Sequence, residues 1–92
     1  MSFVSTYNAV TIQSTATQVL SGNAERKGAI FSNNGTQTLF LGMDSSVTTS
    51  NGLPLVANGT LTMDDFGGVW KGQVWGIVAS STADLRYWEF GA

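Results

Sequence analysis

Cysteine and histidine are both absent from this chain of 92 residues, proline occurs once, and only 11% of the residues carry charge. Without cysteine there is neither a disulfide framework nor a thiolate metal site. Without histidine the commonest general base, the usual partner of a nucleophilic serine and a favoured zinc ligand are gone as well. The four cations, Arg26, Lys27, Lys71 and Arg86, are too few to neutralise a tract of phosphates, and the net charge is −2; nucleic acid is not an expected partner. No stretch approaches the ~20 apolar residues of a membrane-spanning helix, so no membrane partner is expected either. Met1 to Val10 lacks the basic region and apolar run of a signal peptide, which gives an expectation of synthesis in a cytoplasm.

What is present is a 42% hydrophobic content in a chain long enough for one core and no second lobe. With charge well below the roughly 25% of ordinary soluble domains, the surface must be made of serine, threonine, asparagine, glutamine and glycine. Such uncharged surfaces suit proteins that pack closely against other chains.

Glycine or asparagine recurs every few residues after Gly22, which leaves no room for a long helix, and the apolar residues alternate with a period of two. Asn8 to Ser14 reads as a half-buried strand with Val10 and Ile12 on one face. GAIFS and TLFLGM flank Asn33-Asn34-Gly35 and read as an antiparallel hairpin with a type I′ turn; LPLVANGTLTM reads as a second hairpin around Ala57-Asn58-Gly59. Pro54 belongs at a strand start or on an edge. Asp44 to Asn51 reads as an exposed polar loop. Val69 to Ala79 reads as a long strand in which Gly72 and Gly76 mark a bulge or a close approach, and Asp84 to Phe90 as the terminal strand. The fold expected is all-β: a single sandwich or small barrel of about seven or eight short antiparallel strands in a Greek-key or jelly-roll order. Residues 8–92 form that domain, and residues 1–7 an N-terminal arm.

Candidate chemistry is sparse. Five of the six carboxylates, Glu25, Asp44, Asp64, Asp65, Asp84 and Glu89, fall in or beside expected turns, where aspartate caps backbone amides; a glycosidase pair among them is the weakest reading. Asp64-Asp65-Phe66-Gly67-Gly68 lacks the spaced oxygen ligands of a calcium loop. Asn34-Gly35-Thr36 and Asn58-Gly59-Thr60 match the glycosylation acceptor pattern but coincide with turns. No enzyme activity, metal or cofactor is expected.

The aromatic residues say more. On the last strand Arg86, Trp88 and Phe90 share one face and Leu85, Tyr87 and Glu89 the other. Two large aromatics beside an arginine favour a protein interface or sugar stacking. Phe66 and Trp70 lie just upstream, and the arm contributes Phe3, Val4 and Tyr7. These eight residues are the expected partner interface.

The segment Arg26 to Phe90 resembles small virion proteins of tailed bacteriophages. The residues that carry the likeness are the basic pair Arg26-Lys27, an apolar strand, the Asn34-Gly35 turn, Leu39-Phe40-Leu41-Gly42, and Val47-Thr-Thr-Ser-Asn-Gly-Leu-Pro-Leu55 before a Gly-centred turn. The resemblance implies a head-decoration (cement) protein on the outer surface of the capsid, bound to the major capsid protein and often trimeric. A carbohydrate- or receptor-binding module of a tail or fibre is the alternative implied.

Overall fold

The computed structural model describes residues 4–64 and 68–91. Eight strands and no helix are found among them: β1 (Val4–Ile12), β2 (Thr17–Leu20), β3 (Arg26–Asn33), β4 (Leu39–Gly42), β5 (Leu53–Leu55), β6 (Thr60–Met63), β7 (Val74–Val78) and β8 (Ala83–Gly91). They form two four-stranded sheets, sheet A in the order β1-β8-β3-β6 and sheet B in the order β2-β7-β4-β5. The pairs β1·β8, β2·β7, β3·β6 and β4·β5 are all antiparallel. The chain is therefore one long hairpin, β1 to β4 going out and β5 to β8 returning, rolled so that each half alternates between the sheets. That nested order is the double-sheet jelly roll, and the expected all-β sandwich is what the chain forms.

Alternation assigns the faces. On β4, Leu39 and Leu41 are buried and Phe40 is not; on β7, Val74, Gly76 and Val78 are buried between half-exposed Trp75 and Ile77. Ile12, Leu20, Phe31, Leu39, Val78 and Leu85 lead the resulting core. The close approach expected at Gly76 is made by a side chain: a Cβ there would lie 3.1 Å from Ile12 Cδ1.

Several local expectations are corrected. The two Asn-Gly hairpins do not exist as pairs, because β3 and β6 lie in sheet A while β4 and β5 lie in sheet B. Each turn is an arch from one sheet to the other. Neither is type I′: of these residues only Asn58 has a positive φ, 63°. The physical reason is that β3 and β4 each carry a buried apolar set, and placing them in opposite sheets turns both sets into the one core. Of the expected arm, residues 1–3 lie outside the described residues, while Val4 to Tyr7 are the first four residues of β1 and pair with Trp88 to Gly91. The long strand from Val69 shrinks to Val74–Val78. Within the polar loop, Val47 is buried over Gly42, where a Cβ would come within 2.5 Å of it, so the loop folds onto the outer face of sheet B. Pro54 lies on an edge strand as expected.

Two buried polar side chains at opposite ends of β3 hold the arches. Arg26 is 0% exposed; its Nε donates to Glu89 Oε2 at 2.8 Å, Nη1 to the carbonyls of Trp70 and Gly72, and Nη2 to that of Ser21 at 2.7 Å. Asn33, also 0% exposed, donates from Nδ2 to the carbonyls of Gln37 and Leu55 and accepts the Gly35 amide on Oδ1. Its own backbone bonds to Asn58 and Gly59. Removing one partner of a buried ion pair leaves the other uncompensated, at a cost of about 3–5 kcal/mol. Arg26→Met is expected to lower the unfolding free energy by that amount and Asn33→Ala by about 1–3 kcal/mol, both read from urea denaturation; a loss below about 1 kcal/mol for Arg26→Met would show that the network is dispensable.

Candidate functional site

The outer face of sheet A is where the exposed aromatic residues meet. The register places Tyr7 beside Trp88 and Trp88 beside Ile30, and Ile30 in turn beside Thr62 on β6. A row of apolar groups therefore crosses the sheet from its β1 edge. Trp88 is 58% exposed and Tyr7 78%. The Phe90 ring meets Trp88 edge-on, with centroids 6.2 Å apart and planes at 87°, a favourable geometry for an aromatic pair.

Trp88 and Arg86 separate two shallow depressions. One, of about 240 Å³, is lined by Ile30, Ser32, Arg86, Tyr87 and Trp88. The other, of about 360 Å³, lies toward β1 and is lined by Tyr7, Asn8, Ala9, Arg86, Tyr87 and Trp88. Both are open and mostly apolar. A ridge between two troughs on a flat sheet suits a complementary surface and offers no enclosed space for a reacting substrate.

The polar end of the face is built around Asp84. Its Oδ2 accepts from Asn34 Nδ2 at 3.1 Å and from Arg86 Nη2 at 3.1 Å, while its carbonyl accepts the Asn34 amide at 2.8 Å. The Asn34 bond first, and that from Arg86 second, hold the Asp84 carboxyl below the usual aspartate range. Asp44 is held low too, by the hydroxyl and amide of Ser46. Burial, and then the nearby Glu89 carboxylate, push the Tyr87 phenol up. Among the described residues no group of three or more carboxylates could hold a metal ion.

Of the residues expected at the interface, Tyr7, Arg86, Trp88 and Phe90 come together on this face. Trp70 does not. It lies between the sheets' ends, where its Nε1 donates to the Gln73 carbonyl at 2.7 Å and its own carbonyl receives Arg26. It is part of the structural network. Val4 pairs with Gly91 at the start of β1, whereas Phe3 and Phe66 lie outside the described residues. Ile30 and Asp84 complete the face and were not expected there. Alternation separates Ile30 from the core residue Phe31, but only the β3·β8 register reveals that it faces Trp88.

The outer face of sheet B is different. Phe40, Trp75 and Ile77 are half-buried, Val47 and its loop lie against it, and the Trp75 indole is tied to Gln73 Oε1 at 2.7 Å. Comparison with protein-family models, curated proteins and solved structures finds no match to this chain.

The lowered Asp84 value fixes the sign of a pH effect. A carboxyl whose folded value lies below its unfolded one, about 3.9, stabilises the fold fully above that value. The contribution is lost as pH falls through the lowered folded value. Asp84→Asn is expected to cost under about 1 kcal/mol at neutral pH, because the pair is well exposed, and to flatten the decline of the melting temperature below about pH 4. Parallel declines for parent and variant would contradict that role.

Proposed function

We propose that this chain is a structural binding module, a capsid decoration (cement) protein that docks on the major capsid protein through the outer face of sheet A and bridges neighbouring coat subunits. The observation that carries the reading is the Tyr7–Trp88–Ile30 row on the outer face, with a trough on either side of Trp88. Contiguous apolar surface ringed by small polar residues marks an interaction site. Aromatic side chains and arginine are the groups that contribute most when such a site is buried. Bridging requires no chemistry, so the lack of cysteine and histidine is no obstacle. Many weak copies acting together on a shell are sufficient to hold it.

A second reading, a carbohydrate-binding module of a tail or fibre, draws on one observation. The exposed Trp88 indole lies on the same face as Arg86 and Asp84, and an indole with nearby polar groups can stack a sugar ring and bond its hydroxyls. The two readings separate experimentally.

Cosedimentation of the protein with empty shells of the major capsid protein of the same particle is expected to show saturable binding. Trp88→Ser and Tyr7→Ser should each weaken that binding, at the Trp88 ridge by about thirtyfold, with unchanged circular dichroism. Full binding by Trp88→Ser would exclude this face. Capture on immobilised glycans without any shell binding, lost in the same variants, would establish the second reading in place of the first.

A further inference from the structure

A β-sheet ends in rows of unpaired N–H and C=O groups, which proteins close with short strands, proline, bulges or charged side chains. Three of the four sheet edges here are closed in these ways. β5 has three residues with Pro54 in the middle. β6 has four residues, and β2 has four with a register shift between Gln18 and Leu20. The fourth edge, β1, uses none of these devices. It is nine residues long, pairs with β8 in regular register throughout, and reads VSTYNAVTI, without charge, proline or glycine. Among the described residues no strand pairs with its other side.

In an antiparallel pair, alternate residues of an edge strand turn their backbone groups away from the neighbour. Ala9 is one of them, because its amide donates to the Asn8 side-chain Oδ1 at 2.9 Å and not to β8. Ser5, Tyr7 and Thr11 share its parity. Asn8 thus covers a single donor, and the remaining outward groups of the strand form an open template.

We infer that β1 is a dimerisation strand, pairing antiparallel with β1 of a second copy about a two-fold axis perpendicular to sheet A, so that two four-stranded sheets become one of eight strands. The choice of a second copy follows from charge. A two-fold sets a strand against itself, so a charge near its middle would face its own like. β1 has none, and it is therefore complementary to itself. Such an axis carries outer face onto outer face and requires paired residues to have the same parity. The register with the longest overlap is centred on Asn8 and puts Tyr7 opposite the second copy's Ala9. Tyr7, at 78% the most exposed of the large apolar side chains among the described residues, then gains a neighbour across the axis. The Tyr7–Trp88–Ile30 rows of the two copies meet there. This pairing is independent of what the outer face binds.

Sedimentation equilibrium of the pure chain at high concentration is expected to give twice the 9.7 kDa of the monomer. Ala9→Pro removes the bond to Asn8 but no bond to β8, and an edge proline blocks pairing. Ala9→Lys keeps every backbone group, lies beside Arg86 within the copy, and sets its ammonium diagonally across the axis from that of the second copy, like facing like. Each variant should raise the dimer dissociation constant by at least about tenfold with unchanged far-ultraviolet circular dichroism, and Ala9→Lys decides alone if Ala9→Pro does not fold. Trp88→Ser should remain dimeric. A monomer or a trimer for the parent chain, a dimer that survives both edge variants, or one abolished by Trp88→Ser and not by them, would each overturn the proposal.

Discussion

A guanidinium with no exposure to water has to satisfy its donors within the fold, and Arg26 does so by gathering pieces of chain that are far apart in sequence. Glu89 belongs to the strand beside it in sheet A, the Ser21 carbonyl follows the last residue of β2 in sheet B, and the carbonyls of Trp70 and Gly72 belong to the segment that leads into β7. One planar fork thereby fixes where two crossovers pass the end of the sandwich. Buried ion pairs seldom add net stability over apolar residues of equal size, and their value lies in making alternative arrangements costly. Asn33 has the same effect at the other end of β3, where the two polar groups of its side chain make three bonds that would otherwise fall to water.

With both ends of β3 held, the two faces of the sandwich differ in a way that composition alone does not convey. Sheet B is partly covered by its own chain, through a valine seated on a glycine, and its edges are short or carry proline. Sheet A keeps its long strands, β1 and β8, together at one side, and the two most exposed aromatics among the described residues, Tyr7 and Trp88, lie on them. Low charge leaves nothing to repel a neighbouring surface from that side.

The fold class was legible because it depends on period-two alternation and turn composition, both local. Pairing was not. Asn33-Asn34-Gly35 and Ala57-Asn58-Gly59 have hairpin composition, yet whether a turn returns within a sheet or arches to the other is decided by which apolar sets must face each other. The same limit governs the site. Arg86, Trp88 and Phe90 could be assigned to one face from β8 alone, whereas Ile30 and Tyr7 joined them only through register with strands distant in sequence. Arg26 read only as one of four cations and as half of a basic pair, since nothing in Glu25-Arg26-Lys27 distinguishes the buried member from its exposed neighbours.

The nested order of the strands has a consequence for how the chain reaches this state. β4 and β5 are joined by the loop that holds Val47, and they are the innermost of the nested pairs; β1 and β8 are the outermost, with Ile12 opposite Ala83 as their closest pair in sequence. Loop-closure entropy therefore favours growth from the inside outward, with each completed pair shortening the next closure. β8 also lies between β1 and β3. Until it inserts, β1 has no place in sheet A, and its uncharged nine residues remain without a partner. The interval between the making of β1 and the arrival of β8 is the time when this chain is most open to pairing with the wrong strand, and how fast β8 closes sets the concentration at which the protein can be made without loss.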